Sequence, residues 1–521
     1  MKSTITLILT ILIYNLNFAI DTKTITDWSS VGNSFPIPTT ATTLQLNAFN
    51  AKANDKNFDN SIALQNAIKS LNGKFGIIEI PVGTYYFKKS ISIPSNIYIK
   101  GQGSNKTILE FNLGGNGDLF SIQGKLSNIQ SSILSSIKKD DTKFKVSNVA
   151  DFKQGDFILV KQTANNLLAS NWAYNYFFQI AKIEKINGNE ITIDNPLHLD
   201  FPLGNKPLIQ KIMPVENVGI ASLKIKRDDA TTQQTSNLFF NYAVNCWVTD
   251  VESENCNYAH INLQSSAYIS VSGNYLHDAL NYGSGGKAYG VVMQFGASDN
   301  FAYSNIAQHL RHSFLLQATA NGNVIAYNYS YNPYWTENWL PSSSAGDIVL
   351  HGNYPYANLI EGNIIQNLVI DNSHGENGPY NTFFRNRIEN YGIVMNGNSG
   401  NNMNFIANEI TGSGLLKGMF MLSGNQVEIG NTIKGKIQSG TVSENSLINK
   451  NYSAKIGVPY KVNSWNNEAY LRNQKQIKTF AFNFSQEKNT SSENINQTSK
   501  SKTKTKCCKL KSTRKKKKSK L

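Results

Sequence analysis

Three things are scarce in this chain. Charged residues make up only 16% of its 521 positions, while hydrophobic residues reach 40%. That balance excludes an unfolded, self-repelling polymer. It suits a β-rich fold whose surface is made of Asn, Ser, Thr and Gln. Cysteine occurs four times, as Cys246 and Cys256 in the body and the adjacent Cys507 and Cys508 near the end. No paired CxxC spacing is present, which excludes the common thiolate metal frameworks. Cys246 and Cys256 either pair after export or remain two buried thiols. Long apolar runs are missing after residue 20, so no membrane-spanning helix is expected.

Residues 1–20 read as a signal peptide, with Lys2, an apolar run over 5–14 and Ala19 near the cleavage point. A secreted protein is therefore expected; an uncleaved anchor is the alternative. Net charge is +15, but twelve Lys or Arg and no acid lie within residues 500–521, so the rest is close to neutral. This basic tail follows a polar linker over 489–499. It either holds anionic partners by charge or is a solubilising end.

In the body, Asp59 is placed to cap a helix whose residues Ile62, Ala63, Ala67, Ile68 and Leu71 share a face, and Asn72-Gly73 stops it. Short β-like runs follow over 76–80, 84–87, 90–93 and 97–99. A helix capping the open end of a β-solenoid fits this order. Residues 128–212 differ in texture, and Asn187-Gly188 between apolar runs signals a hairpin. They are expected to form an inserted antiparallel β subdomain.

A repeat emerges beyond residue 213. Asp250, Asn274, Asn305, Asn328, Asn363, Asn386, Asn408 and Asn431 end similar segments at intervals of 24, 31, 23, 35, 23, 22 and 23 residues. A period near 23 with three short strands fits one coil of a parallel β-helix, with the amides stacked at a turn. The long intervals place insertions over 279–289 and 329–346. The second holds Tyr329, Tyr331, Tyr334, Trp335 and Trp339, suited to stacking on sugar rings. The expected plan is a signal peptide (1–20), an N-terminal cap and first coils (21–127), the insertion (128–212), the main β-helix (213–450), a C-terminal cap segment (451–488) and the linker with its tail (489–521).

A second register carries the chemistry. In each coil a short apolar strand precedes a polar residue, giving Gln264, Gln294, Gln317, His351 and Asp371. Stacked about 4.8 Å apart, they form one polar stripe. His260, Arg311, His312 and Asp347 lie in nearby registers, and His374 and Glu376 follow one turn on. All seven histidines lie between 198 and 374, six of them between 260 and 374. Histidine is the usual acid–base group near neutral pH. Either the cluster holds an active site or its members are turn and ladder residues.

The stretches Pro81-Val82-Gly83-Thr84-Tyr85-Tyr86-Phe87, Ile91-Ser92-Ile93-Pro94 and Gly101-Gln102-Gly103-Ser104-Asn105-Lys106-Thr107-Ile108 resemble the pectate lyase superfamily of rhamnogalacturonase-, epimerase- and tailspike-like proteins. The resemblance implies an all-β, right-handed parallel β-helix acting on polysaccharide, often acidic. It does not fix the reaction. The Gly-His-Gly signature of polygalacturonases is absent. Ca2+ stays open as a cofactor, although no calcium-binding carboxylate group of the pectate lyase kind stands out.

Three functions follow. A lyase acting by β-elimination would use His351 or His312 as base, Arg311 and the Gln column on the substrate carboxylate, and a loop Tyr as acid. A hydrolase would use Asp347 and Asp371, with Glu376 in reserve. A glycan-binding adhesin would use Tyr334, Trp335, Trp339 and the tail without chemistry. Gln264, Gln294, Gln317 and His374 complete the expected substrate-binding set, and a monomer is expected.

The tail should be separable from the folded part. Deleting residues 496–521 is expected to leave turnover of a soluble substrate unchanged while weakening retention on an acidic matrix, read as earlier elution in a salt gradient.

Overall fold

The computed structural model describes residues 20–448, apart from positions 284, 338, 339, 439 and 445. The expected signal peptide before Ile20, Trp339, the C-terminal cap segment, the linker and the basic tail lie outside the described residues. Within residues 20–448 no helix is long and apolar enough to cross a membrane.

The coils are parallel and have three faces. On the first, strands Ala259–Gln264, Tyr289–Gln294, His312–Leu316 and Ile348–Leu350 stack in order. On the second, Ser270–Ser272, Phe301–Tyr303, Val324–Ala326 and Leu359–Glu361 do the same. The third holds Tyr275–His277, Ile306–Gln308 and Tyr329–Tyr331. Alternation dictates what fills the interior. Val291 and Met293, Phe314 and Leu316, and Ile348 and Leu350 point inward from the first face. The short second-face strands offer one inward residue each: Val271, Ala302, Ile325 and Ile360.

The buried Asn column runs from Asn274 to Asn431. Each Oδ1 accepts the backbone N–H and the Nδ2 of the Asn one coil earlier, at 2.9–3.1 Å. Each Nδ2 also reaches a backbone carbonyl, as Asn328 does to Ala302 at 3.0 Å. Asp250 is not a member. It occupies the left-handed bend one residue earlier (φ 56°), and Val251 N–H donates to Asn274 in its place. A second column lies before the same strands: Asn300, Asn323, Asn358 and Asn381 repeat the pattern at 2.9–3.2 Å.

The helix Ser61–Ser70 covers the first coils. Ala63, Leu64, Ala67, Ile68 and Leu71 are buried, whereas Ile62, expected among them, is 60% exposed. Leu64 shares the Ile68 and Leu71 stripe at helical spacing, and Ile62 falls outside it. Asn60 takes the capping position; Asp59 instead accepts Ser61 N at 3.0 Å and Lys88 N at 3.1 Å, tying the helix to a coil.

Residues 125–213 form a six-stranded antiparallel sheet with its own core, and its hairpin turns at Gly188-Asn189, between paired Asn187 and Glu190. The solenoid resumes without loss of register: Gly219–Arg227 pairs with Ile97–Lys100 and Thr107–Phe111. Residues 20–35 are not part of a cap. They run as a strap over the second face, in contact with Asn404, then Ala357, then Asp299 and Ser270. Trp28 and Val31 pack there on Phe301, Val324, Leu359 and Phe384. Cys246 and Cys256 are free and buried, donating to Val244 O and Tyr289 O.

Asn328→Leu should strand the Asn305 amide groups and the Ala302 carbonyl in the interior. A destabilisation on the order of 3 kcal/mol is expected from chemical denaturation; an unchanged midpoint would show that the column is dispensable.

Candidate active site

The outer surface of the first face carries a cleft of about 860 Å3. Its floor is the polar column. Gln264 pairs with Gln294, and the register Met293↔Leu316, Leu316↔Leu350, Leu350↔Ile370 carries it on to Gln317, His351 and Asp371. These residues point outward because their strand neighbours Leu263, Met293, Leu316, Leu350 and Ile370 fill the core. The amides are chained: Gln317 Nε2 donates to Gln294 Oε1 at 2.6 Å, and Gln294 Nε2 to Asn262 Oδ1 at 3.1 Å. Tyr258 donates its hydroxyl to Gln294 Oε1 at 3.2 Å.

His351 Nδ1 lies 2.6 Å from Asp371 Oδ2, and Asp371 Oδ1 accepts Ser373 N–H at 2.9 Å. Burial pushes the Asp371 carboxyl up, but the hydrogen bond and charge of His351 and the bonds from Ser373 outweigh it and hold it below the usual range. When the ring is neutral, an ionised carboxylate on Nδ1–H leaves Nε2 as a lone-pair acceptor, and no described residue hydrogen-bonds to it. His374 stands edge-on at 4.9 Å between ring centroids, with Nδ1 3.3 Å from Ser170 Oγ.

His312 is 6.3 Å from His351 by ring centroid and stacks on Tyr289 at 5.1 Å. Its Nδ1 donates to Gly346 O at 2.8 Å. Burial and then the Arg311 charge push its pKa down to about 3, so it is neutral in ordinary buffers. Arg311 lies against the Tyr289 and Trp335 rings at 6.0 and 5.7 Å, and Nη1 donates to Gly283 O at 3.0 Å. Its Nε has no partner among the described residues.

Known proteins place this architecture. Residues 46–196 match the family model described as rhamnogalacturonase A/epimerase, pectate lyase-like. The tailspike protein gp49 from Pseudomonas phage LKA1 is 17% identical with a TM-score of 0.56, over 71% of this chain and 64% of that one. The chain thus spans less than two thirds of that tailspike. The tailspike gp61 of Pseudomonas phage phi297 is 14% identical with a TM-score of 0.50, over 75% of this chain and 72% of that one. No curated protein sequence matches. The fold is the parallel β-helix that these tailspikes share, and residues 46–196 are similar to the pectate lyase-like family.

In this β-helix the cleft gathers Gln264, Gln294, Gln317, Arg311, His351 and His374 in its lining, with Asp371 bonded behind His351. Asp347 is elsewhere. It is fully buried, accepts Ser330 Oγ at 2.5 Å and the Gln366 and Asn367 amides at 2.9 and 2.7 Å, and burial raises it to about 6. A carboxylate so enclosed braces a corner and meets no substrate. His260 is likewise buried, with Nδ1 2.8 Å from Ser253 Oγ. Glu376 is exposed and outside the cleft lining.

Tyr329 and Tyr331 belong to a third-face strand rather than to a loop. Tyr334 packs on His309 and Tyr282 at 4.9 and 5.0 Å, away from the cleft floor. Sequence reasoning missed Asn262 and Tyr289, which line the cleft from the first-face strands, and Tyr258, just ahead of the strand Ala259–Gln264; all three could have been read from the coil alignment. It also missed Trp172 and Asp118, which come from outside the repeat.

For a metal, Glu252, Glu254 and His277 bring ligand atoms within 4.8 Å of one another on the third face. Lys224 Nζ already pairs with Glu252 at 2.9 Å and with Glu254. Two carboxylates neutralised by an ammonium group are a poor fit to the oxygen-rich shell that calcium needs.

The His312 ring should stay uncharged from pH 8 to pH 4.5. Histidine ring resonances assigned by His312→Gln are expected to show no titration for it in that range; a midpoint near 6.5 would mean the ring is exposed.

Proposed function

We propose that this protein is a secreted enzyme that breaks an acidic polysaccharide by β-elimination, with His351 as the base. The observation that carries the reading is the 2.6 Å bond from His351 to Asp371 at the floor of a polar cleft. The cleft lining extends from Phe239 to the coil of Asp371, five coil-to-coil steps by strand register. At about 4.8 Å per step this is roughly 24 Å, a length that suits a polymer.

Elimination beside a uronate needs the carboxylate neutralised, the C5 proton removed and the leaving oxygen protonated. His351 Nε2 takes the C5 proton. The released electron pair forms the C4–C5 double bond as the C4–O bond breaks. Arg311, whose side chain is in the cleft lining, is the cation for the uronate carboxylate. Tyr289 lines the same cleft, and burial raises its pKa, so its phenol is protonated and can serve the leaving oxygen.

A hydrolase would need two carboxyl groups about 5–9.5 Å apart across the bond. The cleft lining holds Asp118, beside the Ser236 amide, while Asp371 lies behind His351 several coils away. The polysaccharide reading is also supported by the family model that residues 46–196 match, described as rhamnogalacturonase A/epimerase, pectate lyase-like.

Incubation with a panel of uronate-containing polysaccharides should release unsaturated, ultraviolet-absorbing ends. His351→Ala should lower turnover at least about a hundredfold with an unchanged melting curve. New reducing ends without that absorbance would replace the lyase reading by a hydrolase, and binding without either product by an adhesin.

A further inference from the structure

The wall of the cleft beside His351 does not come from the β-helix. It comes from residues 164–177 of the inserted subdomain, and this segment is fixed in place. Asn353, buried on a coil, accepts the Ala169 and Ser170 amides on Oδ1 at 2.9 and 3.0 Å. Thr319 Oγ1 donates to Tyr176 O at 2.5 Å. Ala164, Leu168, Ala173 and Phe177 share one buried cluster with Ala318, Tyr356 and Ala357 of the coils. Gly375 lies so close that a Cβ there would sit 2.6 Å from Ala169 Cβ.

This anchoring holds Trp172 in the cleft lining with 38% of its surface exposed. Its ring is perpendicular to Phe295 at 5.7 Å and to His374 at 5.1 Å. The His374 ring is in turn 4.9 Å from His351. An indole partly open to solvent beside a floor of amides and imidazoles offers an apolar face next to hydrogen-bonding groups. A pyranose ring matches both surfaces: its C–H face covers an aromatic ring while its hydroxyl rim meets polar side chains.

We propose that Trp172 is the platform on which a sugar ring stacks next to the ring that reacts at His351, so that the inserted subdomain helps to select the substrate. This rests on the polysaccharide reading above. Asn353 acts here as a positioning residue, since it holds the segment and does not line the cleft.

The test compares Trp172→Ala and Trp172→Phe with the wild type, using oligosaccharides cut from whichever polysaccharide the wild type binds or cleaves. Trp172→Ala should raise both Kd and KM at least about tenfold, about 1.4 kcal/mol, with a smaller change in kcat and an unchanged melting curve. Trp172→Phe keeps an aromatic face and should stay within about threefold. Ligand should quench tryptophan emission in the wild type, and that change should be lost in Trp172→Phe, a readout that does not depend on the alanine variant folding. An unchanged Kd in folded Trp172→Ala, or equal quenching in wild type and Trp172→Phe, overturns the platform while the His351 chemistry stands. A wild type that neither binds nor cleaves any polysaccharide of the panel overturns the functional reading and the platform together.

Discussion

Axial hydrogen bonding between buried asparagine amides is the constraint on which the rest depends. A β-helix must turn its chain three times per coil, and each turn threatens to leave backbone N–H and C=O groups inside without partners. An Asn side chain both accepts and donates, so it can satisfy a backbone group in its own layer and an amide in the next. From Asn274 to Asn431 every link uses the same two donors on the same Oδ1. That repetition fixes the register of successive coils to one residue. A slip by one would turn the inward Leu and Ile residues outward.

The geometry of the candidate site inherits that register. His351 and Asp371 are twenty residues apart in sequence and form a 2.6 Å bond because they hold the same position on consecutive coils. Gln264, Gln294 and Gln317 are spread over more than fifty residues and still form one floor. The cleft floor is thus assembled by translation along an axis, with each coil contributing one polar side chain. The departures from strict repetition supply what the column lacks. The 279–288 insertion brings Gly283 O to Arg311, and Gly285 and Gly286 to the cleft edge.

The inserted sheet is tied to the coils by polar as well as apolar contacts. His198 is fully buried between Asp299, at 3.2 Å, and Asn321, at 2.9 Å. Burial alone would lower its pKa, but the Asp299 charge and bonds to Asp299 and Asn321 outweigh it and raise it. A buried pair of this kind adds little net stability compared with apolar packing, but it penalises every misplaced docking. Precise seating of the sheet is what lets Trp172 stand beside His374.

The sequence alone carried the periodic features. Asn intervals near 23, short apolar strands ending in Gln, His or Asp, and a helix ahead of short strands are local patterns, set by residues a few positions apart and repeated. The second Asn column at 300, 323, 358 and 381 was equally legible five residues upstream of the first. What a residue faces at a coil corner was not. Asp347 and Asp371 flank similar apolar triplets, yet one is enclosed by Ser330 and two amides and the other holds His351. That difference depends on which neighbouring coil supplies donors. The strap over the second face and the Trp172 wall were hidden for the same reason. Trp28 bonds Ala357, and Asn353 bonds Ala169 and Ser170, across separations of 329, 184 and 183 residues. Contacts of that range leave no period in the sequence, because each is made once and only after the coils have stacked.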